Sequence, residues 1–181
     1  MMKFRSIFFL TLAIVLTLAA IACGSNSEPD AATLAKITPS ETIFTLDDLT
    51  AVGFKKNKEF NVEGLTGAIS AYYGFWGLDP YDRKDYEVRF YPTYADAVEF
   101  GGVFADERTG TDAVIKTGEN SWEEGAKEAR SCVSLSSNSS CNISKYGDYV
   151  IYGNMILICE GRDSTTALGQ CVALLEQLGL G

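Results

Sequence analysis

Apolar residues along this chain recur with two periods, every second position or every third to fourth, and each switch of period marks an element. Over residues 45–53, Thr45 with Asp48 three places on makes a capping box and Gly53 supplies a stop, which predicts a short helix. Ile69, Ala71, Tyr73 and Phe75 alternate, which predicts a strand over 68–76. A charged turn with Pro80 spans Leu78 to Asp85, and Tyr86 to Tyr91 then reads as a second strand stopped by Pro92. Thr93 and Asp96 open a helix in which Ala97, Val98, Phe100, Val103 and Phe104 recur at helical spacing until Gly110. Ala113 to Ile115 reads as a short strand, and Ser121 to Glu124 as a capping box opening a helix to about Arg130. The serine-rich stretch from Cys132 to Cys141 reads as a loop. Asp148–Tyr152, the turn Gly153-Asn154 and Met155–Cys159 predict a hairpin, and the second strand, apolar on both faces, belongs in the middle of a sheet. A last helix carries Leu168, Cys171, Val172, Leu175 and Leu178 on one stripe and ends near Gly179. The expected fold is α+β, a mainly antiparallel sheet with helices packed on one face.

The first residues follow different rules. Lys3 and Arg5 precede an uncharged run from Ser6 to Ala22, and small residues lead into Cys23 as Ala20-Ile21-Ala22-Cys23. A basic start, an apolar middle and small residues before a cut describe a secretory signal peptide. The segment around Cys23 resembles the lipobox of bacterial lipoproteins, with Ala20 where leucine is usual. The resemblance implies a chain cut before Cys23, a diacylglycerol on the Cys23 thiol and a membrane anchor made of lipid. Two other readings of the leader stay open: plain secretion with an unmodified Cys23, and an uncleaved anchor, whose helix would rise roughly 25 Å against a hydrocarbon core of ~30 Å. The expected organisation is a signal peptide over 1–22, Cys23 and a small, polar tether over 23–40, and one globular domain over 41–181.

Charge narrows the partners. Taking the two positive charges of the leader from a net −9 leaves −11 on the remainder, which repels phosphate backbones, so no nucleic-acid partner is expected. The chain has no histidine, which removes Ser-His-Asp and Cys-His catalysis and the commonest transition-metal ligand. After Cys23 come Cys132, Cys141, Cys159 and Cys171, an even set that in an exported chain reads as two disulfides. The local pairing, 132 with 141 and 159 with 171, closes short loops and is preferred; 141 with 159 and 132 with 171 is its main rival. No C-x-x-C spacing favours zinc, and no metal or cofactor is expected.

Candidate chemistry concentrates between residues 72 and 94, where nine aromatic side chains fall. Most of them suit strand packing, but Trp76, Tyr81 and Tyr73 are candidates for a ligand-stacking surface, Trp76 and Tyr81 because they border the turn. Asp79, Asp82, Asp85 and Glu87 crowd the same turn; Arg83 and Lys84 neutralise them, and the spacing departs from a calcium loop. No nucleophile-elbow, phosphate-loop or dinucleotide motif occurs, and no catalytic residue is assigned. Asn138-Ser139-Ser140 and Asn142-Ile143-Ser144 match a glycosylation pattern that a bacterial leader makes irrelevant. Tyr86 to Pro92 with Ala95 to Val98, and Tyr146 to Gly161, are similar to an uncharacterised family of bacterial lipoproteins, which implies location and fold and carries no activity. Three functions fit: a lipid-anchored envelope protein that binds a protein or small molecule without catalysis, a carboxylate-based hydrolase of envelope sugars, or a structural accessory subunit of an envelope complex.

Overall fold

Residues 35–135 and 138–180 are described in a computed structural model of the chain, with the backbone alone over 132–142. The leader, Cys23 and the tether up to residue 34 lie outside the described residues. In chain order the elements are β1 (Ile37–Thr38), α1 (Leu46–Ala51), β2 (Lys55–Phe60), β3 (Ser70–Trp76), β4 (Lys84–Phe90), α2 (Tyr94–Asp96), a π-helical turn (Ala97–Gly101), α3 (Gly102–Arg108), α4 (Glu123–Ala129), β5 (Arg130–Leu135), β6 (Asn138–Ser144), β7 (Tyr146–Tyr152), β8 (Met155–Glu160) and α5 (Ser164–Gln177). The fold is α+β. Its main sheet has six strands in the order β1-β7-β8-β4-β3-β2, antiparallel except where β1 runs parallel to β7. The hairpin β5-β6 forms a separate two-stranded sheet.

Burial on both faces of the central strands overturns the expectation that helices cover one face. In β8, Met155, Leu157 and Cys159 pack with α1 and α5, through Leu49, Cys171, Leu174 and Leu175. Ile156 and Ile158 point the other way, toward Ala97, Ala105 and Ala129 from the second helical layer and toward Ile115 from the connection between α3 and α4. A strand apolar on both faces needs cover on both, because side chains alternate across a sheet. A third cluster joins Phe60, Leu65, Ala71 and Tyr73 around Trp122 at the β2–β3 end.

The Gly153-Asn154 turn forms as expected, with Gly153 at φ +54°. Cys159 and Cys171 form a disulfide that ties β8 to α5, their Cα atoms 5.7 Å apart and both side chains fully buried. It is the one disulfide seen among the described residues, where two were expected; the side chains of Cys132 and Cys141 lie outside the description. Ser121 does not cap α4: the N-cap is Trp122, and the Ser121 hydroxyl and amide both turn to Glu107 Oε1. Residues 113–115 form no strand, although Ile115 is buried in the core. Three features were not predicted. Strand β1 falls in the stretch expected to be a tether and pairs with β7. The lysine-rich β2 becomes an edge strand by pairing with β3, and the serine-rich stretch forms the β5-β6 hairpin.

Candidate functional site

The three residues expected to form a stacking surface do not share one. Trp76 is 4% exposed, donates its indole N–H to the Val52 carbonyl at 3.0 Å and packs edge-on to Tyr86. The expectation that bordering the turn would expose it fails, because α1 and its following residue close over it. Tyr73 faces the opposite side of the sheet and is also buried. Tyr81 stands alone in the turn at 97% exposure, beside Leu78 at 77%. The four acidic residues disperse as well. Asp79 accepts from the Tyr81 amide, Asp82 meets Lys84 at 2.5 Å, Asp85 pairs with Lys145, and Glu87 with Arg89. Among the described residues no cluster of cysteines and carboxylates could hold a metal ion.

The densest chemistry lies inside. Strand β4 alternates, so Tyr86, Val88 and Phe90 face α1 and α5 while Asp85, Glu87 and Arg89 face the second helical layer. Because β3 and β8 flank β4, those charges cannot turn outward, and Glu87 and Arg89 are both fully buried. Arg89 donates through Nε to Glu87 Oε1 at 2.7 Å, and its Nη2 lies 2.6 Å from the same oxygen as an ion pair whose angle makes no second hydrogen bond.

Arg108, in the last turn of α3, brings a second guanidinium to the same layer at 2% exposure. Its Nη2 donates to the Trp122 carbonyl at 2.9 Å. No carboxylate among the described residues comes within ion-pair distance of it. The Trp122 ring lies beside both cations, 5.2 Å from the Arg89 guanidinium carbon and 5.8 Å from that of Arg108, a cation–π contact that offsets part of their desolvation. Burial lowers the Arg108 pKa, with Glu87 pulling it up and Arg89 pushing it down; guanidinium nevertheless stays charged in a protein. The Tyr91 and Tyr146 hydroxyls complete the group: burial and then Glu87 raise Tyr146, while burial raises Tyr91 against the neighbouring Arg89 guanidinium, which pulls it down.

Seven side-chain polar positions here have no hydrogen-bond partner: Glu87 Oε2, two nitrogens of Arg89, two of Arg108, and the hydroxyls of Tyr91 and Tyr146. Buried polar groups are nearly always paired, so this concentration in one layer is the least ordinary feature of the molecule.

At its outer edge the layer opens to a half-buried trio. Asp85 accepts from the Tyr73 hydroxyl at 3.0 Å and from Lys145, whose Nζ also sits 4.3 Å over the Tyr73 ring. Burial and then Asp85 push the Tyr73 phenol well above its ordinary value, so it stays protonated and donates. Lys58 from β2 continues the band to Glu124 and Glu128 on α4. Asp85 and Glu87 share one face of β4, but each is engaged by a cation and Glu87 is sealed from solvent, so the pair does not open into a cleft. The arrangement binds and holds charge, with the Tyr73 hydroxyl and the Lys145 amine both turned to the Asp85 carboxylate.

A sequence match to DUF6810, a family of unknown function, covers residues 45–179. The chain belongs to that family. No curated protein and no solved structure matches it. The DUF6810 match runs from the N-cap of α1 to the residues just past α5, so it contains the whole buried layer and the disulfide. No helix of the described residues is long and apolar enough to cross a membrane.

Proposed function

We propose that this DUF6810 protein is a lipid-anchored envelope protein facing outside the cytoplasm. Its chain is cut before Cys23, the Cys23 thiol carries a diacylglycerol, and its domain binds a partner or ligand without catalysing a reaction. One observation carries the reading: the Cys159–Cys171 disulfide inside the domain core. Disulfides persist in oxidising compartments, so an oxidised core pair and an export leader on the same chain support each other. The second bridge of the proposal joins Cys132 to Cys141. In the β5-β6 hairpin, Ser131 stands opposite Ile143 and Val133 opposite Ser140, with an irregularity between them, and this register supports pairing 132 with the 141–142 stretch. The binding half is supported by the turn after β3, where Leu78 and Tyr81 stand exposed.

The test is the mass of the N-terminus in a bacterial host with a lipoprotein-processing pathway. The expected product begins at Cys23, carries acyl chains, sediments with membranes and shows no reactive thiol before reduction. Cys23→Ser abolishes acyl labelling and membrane association while the domain stays folded. An intact Met1, an unmodified Cys23 or four reactive thiols overturns the proposal.

A further inference from the structure

We propose that the layer between β4 and α3 holds one monovalent anion of chloride size, bound by Arg108 through Nε and Nη1. Two independent counts lead to it. The first is charge. Glu87 neutralises Arg89 in a fully buried pair, and Arg108, 2% exposed, adds a positive charge that no carboxylate among the described residues meets within ion-pair distance. Glu107, its sequence neighbour, is turned to Ser121 instead. An uncompensated buried charge is among the most destabilising features a fold can carry, and a cation–π contact offsets only part of it.

The second count is of donors and acceptors. Arg89 Nη2 is held by Glu87, but three guanidinium nitrogens, Arg89 Nη1 and Arg108 Nε and Nη1, have no partner and can only donate; two hydroxyls can do either, and one partnerless atom, Glu87 Oε2, can only accept. Water molecules placed there would accept those bonds, but each must then direct its own two hydrogens at acceptors, and the side-chain acceptors without a partner here are only Glu87 Oε2 and the two hydroxyls. An anion accepts from several donors and donates to none. The excess of one positive charge selects a monovalent ion over sulfate or phosphate, and the full burial of Glu87 and Arg89 selects a small one. Halide is the class that meets all three conditions.

The purified full-length protein, refolded from chloride-free denaturant into gluconate, is titrated with chloride or bromide at constant ionic strength. Both halides are expected to raise Tm, by about 5 °C at about 0.3 M, whereas gluconate does not. Arg108→Met is expected to lose that halide dependence. Bromide-grown crystals should show an anomalous peak beside Arg108, which decides the matter on the unaltered chain if the variant fails to fold. A Tm indifferent to halide, or ordered waters alone beside Arg108, overturns the proposal. A bromide peak without thermal gain marks an adventitious ion only and overturns it equally.

Discussion

Removing the amide of Asn154 is expected to cost this fold several kcal/mol, although the residue sits in a hairpin turn. The side chain is 1% exposed. Its Oδ1 accepts from the Phe44 amide at 2.7 Å, and its Nδ2 donates to the Phe44 carbonyl at 3.1 Å and to the Tyr91 carbonyl at 3.0 Å. One side chain therefore clips the segment before α1 and the end of β4 to the β7-β8 turn. Asn154→Ala orphans all three backbone groups, each costing about 1–3 kcal/mol when buried. Asn154 also lines a surface groove with Ile43 and Phe44, so water reaches part of the gap, and the lower end applies: about 3–4 kcal/mol, or a Tm drop of about 10 °C. Asn154→Asp separates hydrogen bonding from turn geometry. It keeps an acceptor for Phe44, loses both donations and buries a carboxylate, whose folded pKa is then raised. Its penalty should be full near neutral pH and shrink as pH falls and the protonated acid regains one donor. Urea denaturation with a fitted slope is the assay. An Asn154→Ala cost below about 1 kcal/mol, at unchanged slope, would refute the reasoning.

Replacing Cys159 and Cys171 together by alanine should lower stability by about 3 kcal/mol, because the bridge closes a loop with a sequence separation of 12; calorimetry of the oxidised and variant proteins measures it. Gly101→Ala should be far worse than its size suggests. A Cβ there would sit 2.6 Å from Tyr91 Cζ and also strike Ile156, so a loss of about 2–4 kcal/mol is expected by denaturant titration, with Gly102→Ala, which meets nothing within 4 Å, as the tolerated control. Burial alone would raise the Asp148 pKa, but the bonds from Lys36 Nζ, the Ser164 hydroxyl and the Tyr149 amide outweigh it and lower it below 3.8. A lowered carboxylate stabilises the fold above its unfolded value and loses that contribution as pH falls through the folded one. Asp148→Asn should therefore reduce Tm by several degrees near pH 7 and flatten the melting-temperature slope below about pH 4; an unchanged acid slope would contradict it.

Local chemistry was legible where one residue's neighbours in sequence decide its structure. The capping box at Thr45 and Asp48 forms, with Thr45 N 2.8 Å from Asp48 Oδ2, and so does the Thr93 cap. The Gly153-Asn154 turn and the strand character of β3 and β4 follow from the same short-range rules, and so in part does the stripe of α5, where Cys171 and Leu175 are buried as expected but Ala167 and Leu174 join them in place of Val172. What failed depended on cover from afar. Lys55, Lys56 and Lys58 give β2 no apolar alternation, yet at a sheet edge charged side chains are suitable, and pairing with β3 supplies the strand that local pattern does not. Trp76 next to a turn looked exposed until Val52 supplied its hydrogen-bond acceptor. Most of the candidate site was unreadable for the same reason. Glu87 and Arg89, two apart on a strand, carry the pattern of a solvated face, and only the helical layer ending in Arg108 turns that face inward. The one available signal was β8, whose two apolar faces demanded cover on both sides of the sheet and thus over the neighbouring charges of β4.

The short first strand has a mechanical meaning. Besides its ladder with β7, it is held by backbone hydrogen bonds from the Ile151 amide to the Lys36 carbonyl at 2.8 Å and from the Gly153 amide to the Thr38 carbonyl at 3.2 Å, with the Lys36–Asp148 ion pair at 2.7 Å beside them. Tension applied to the chain ahead of residue 36 reaches these links before any other part of the sheet. A load along β1 shears them together, whereas a load across it peels them one at a time. The direction of pull, more than its size, then decides whether the body lets out slack or stays fully folded while it is tugged.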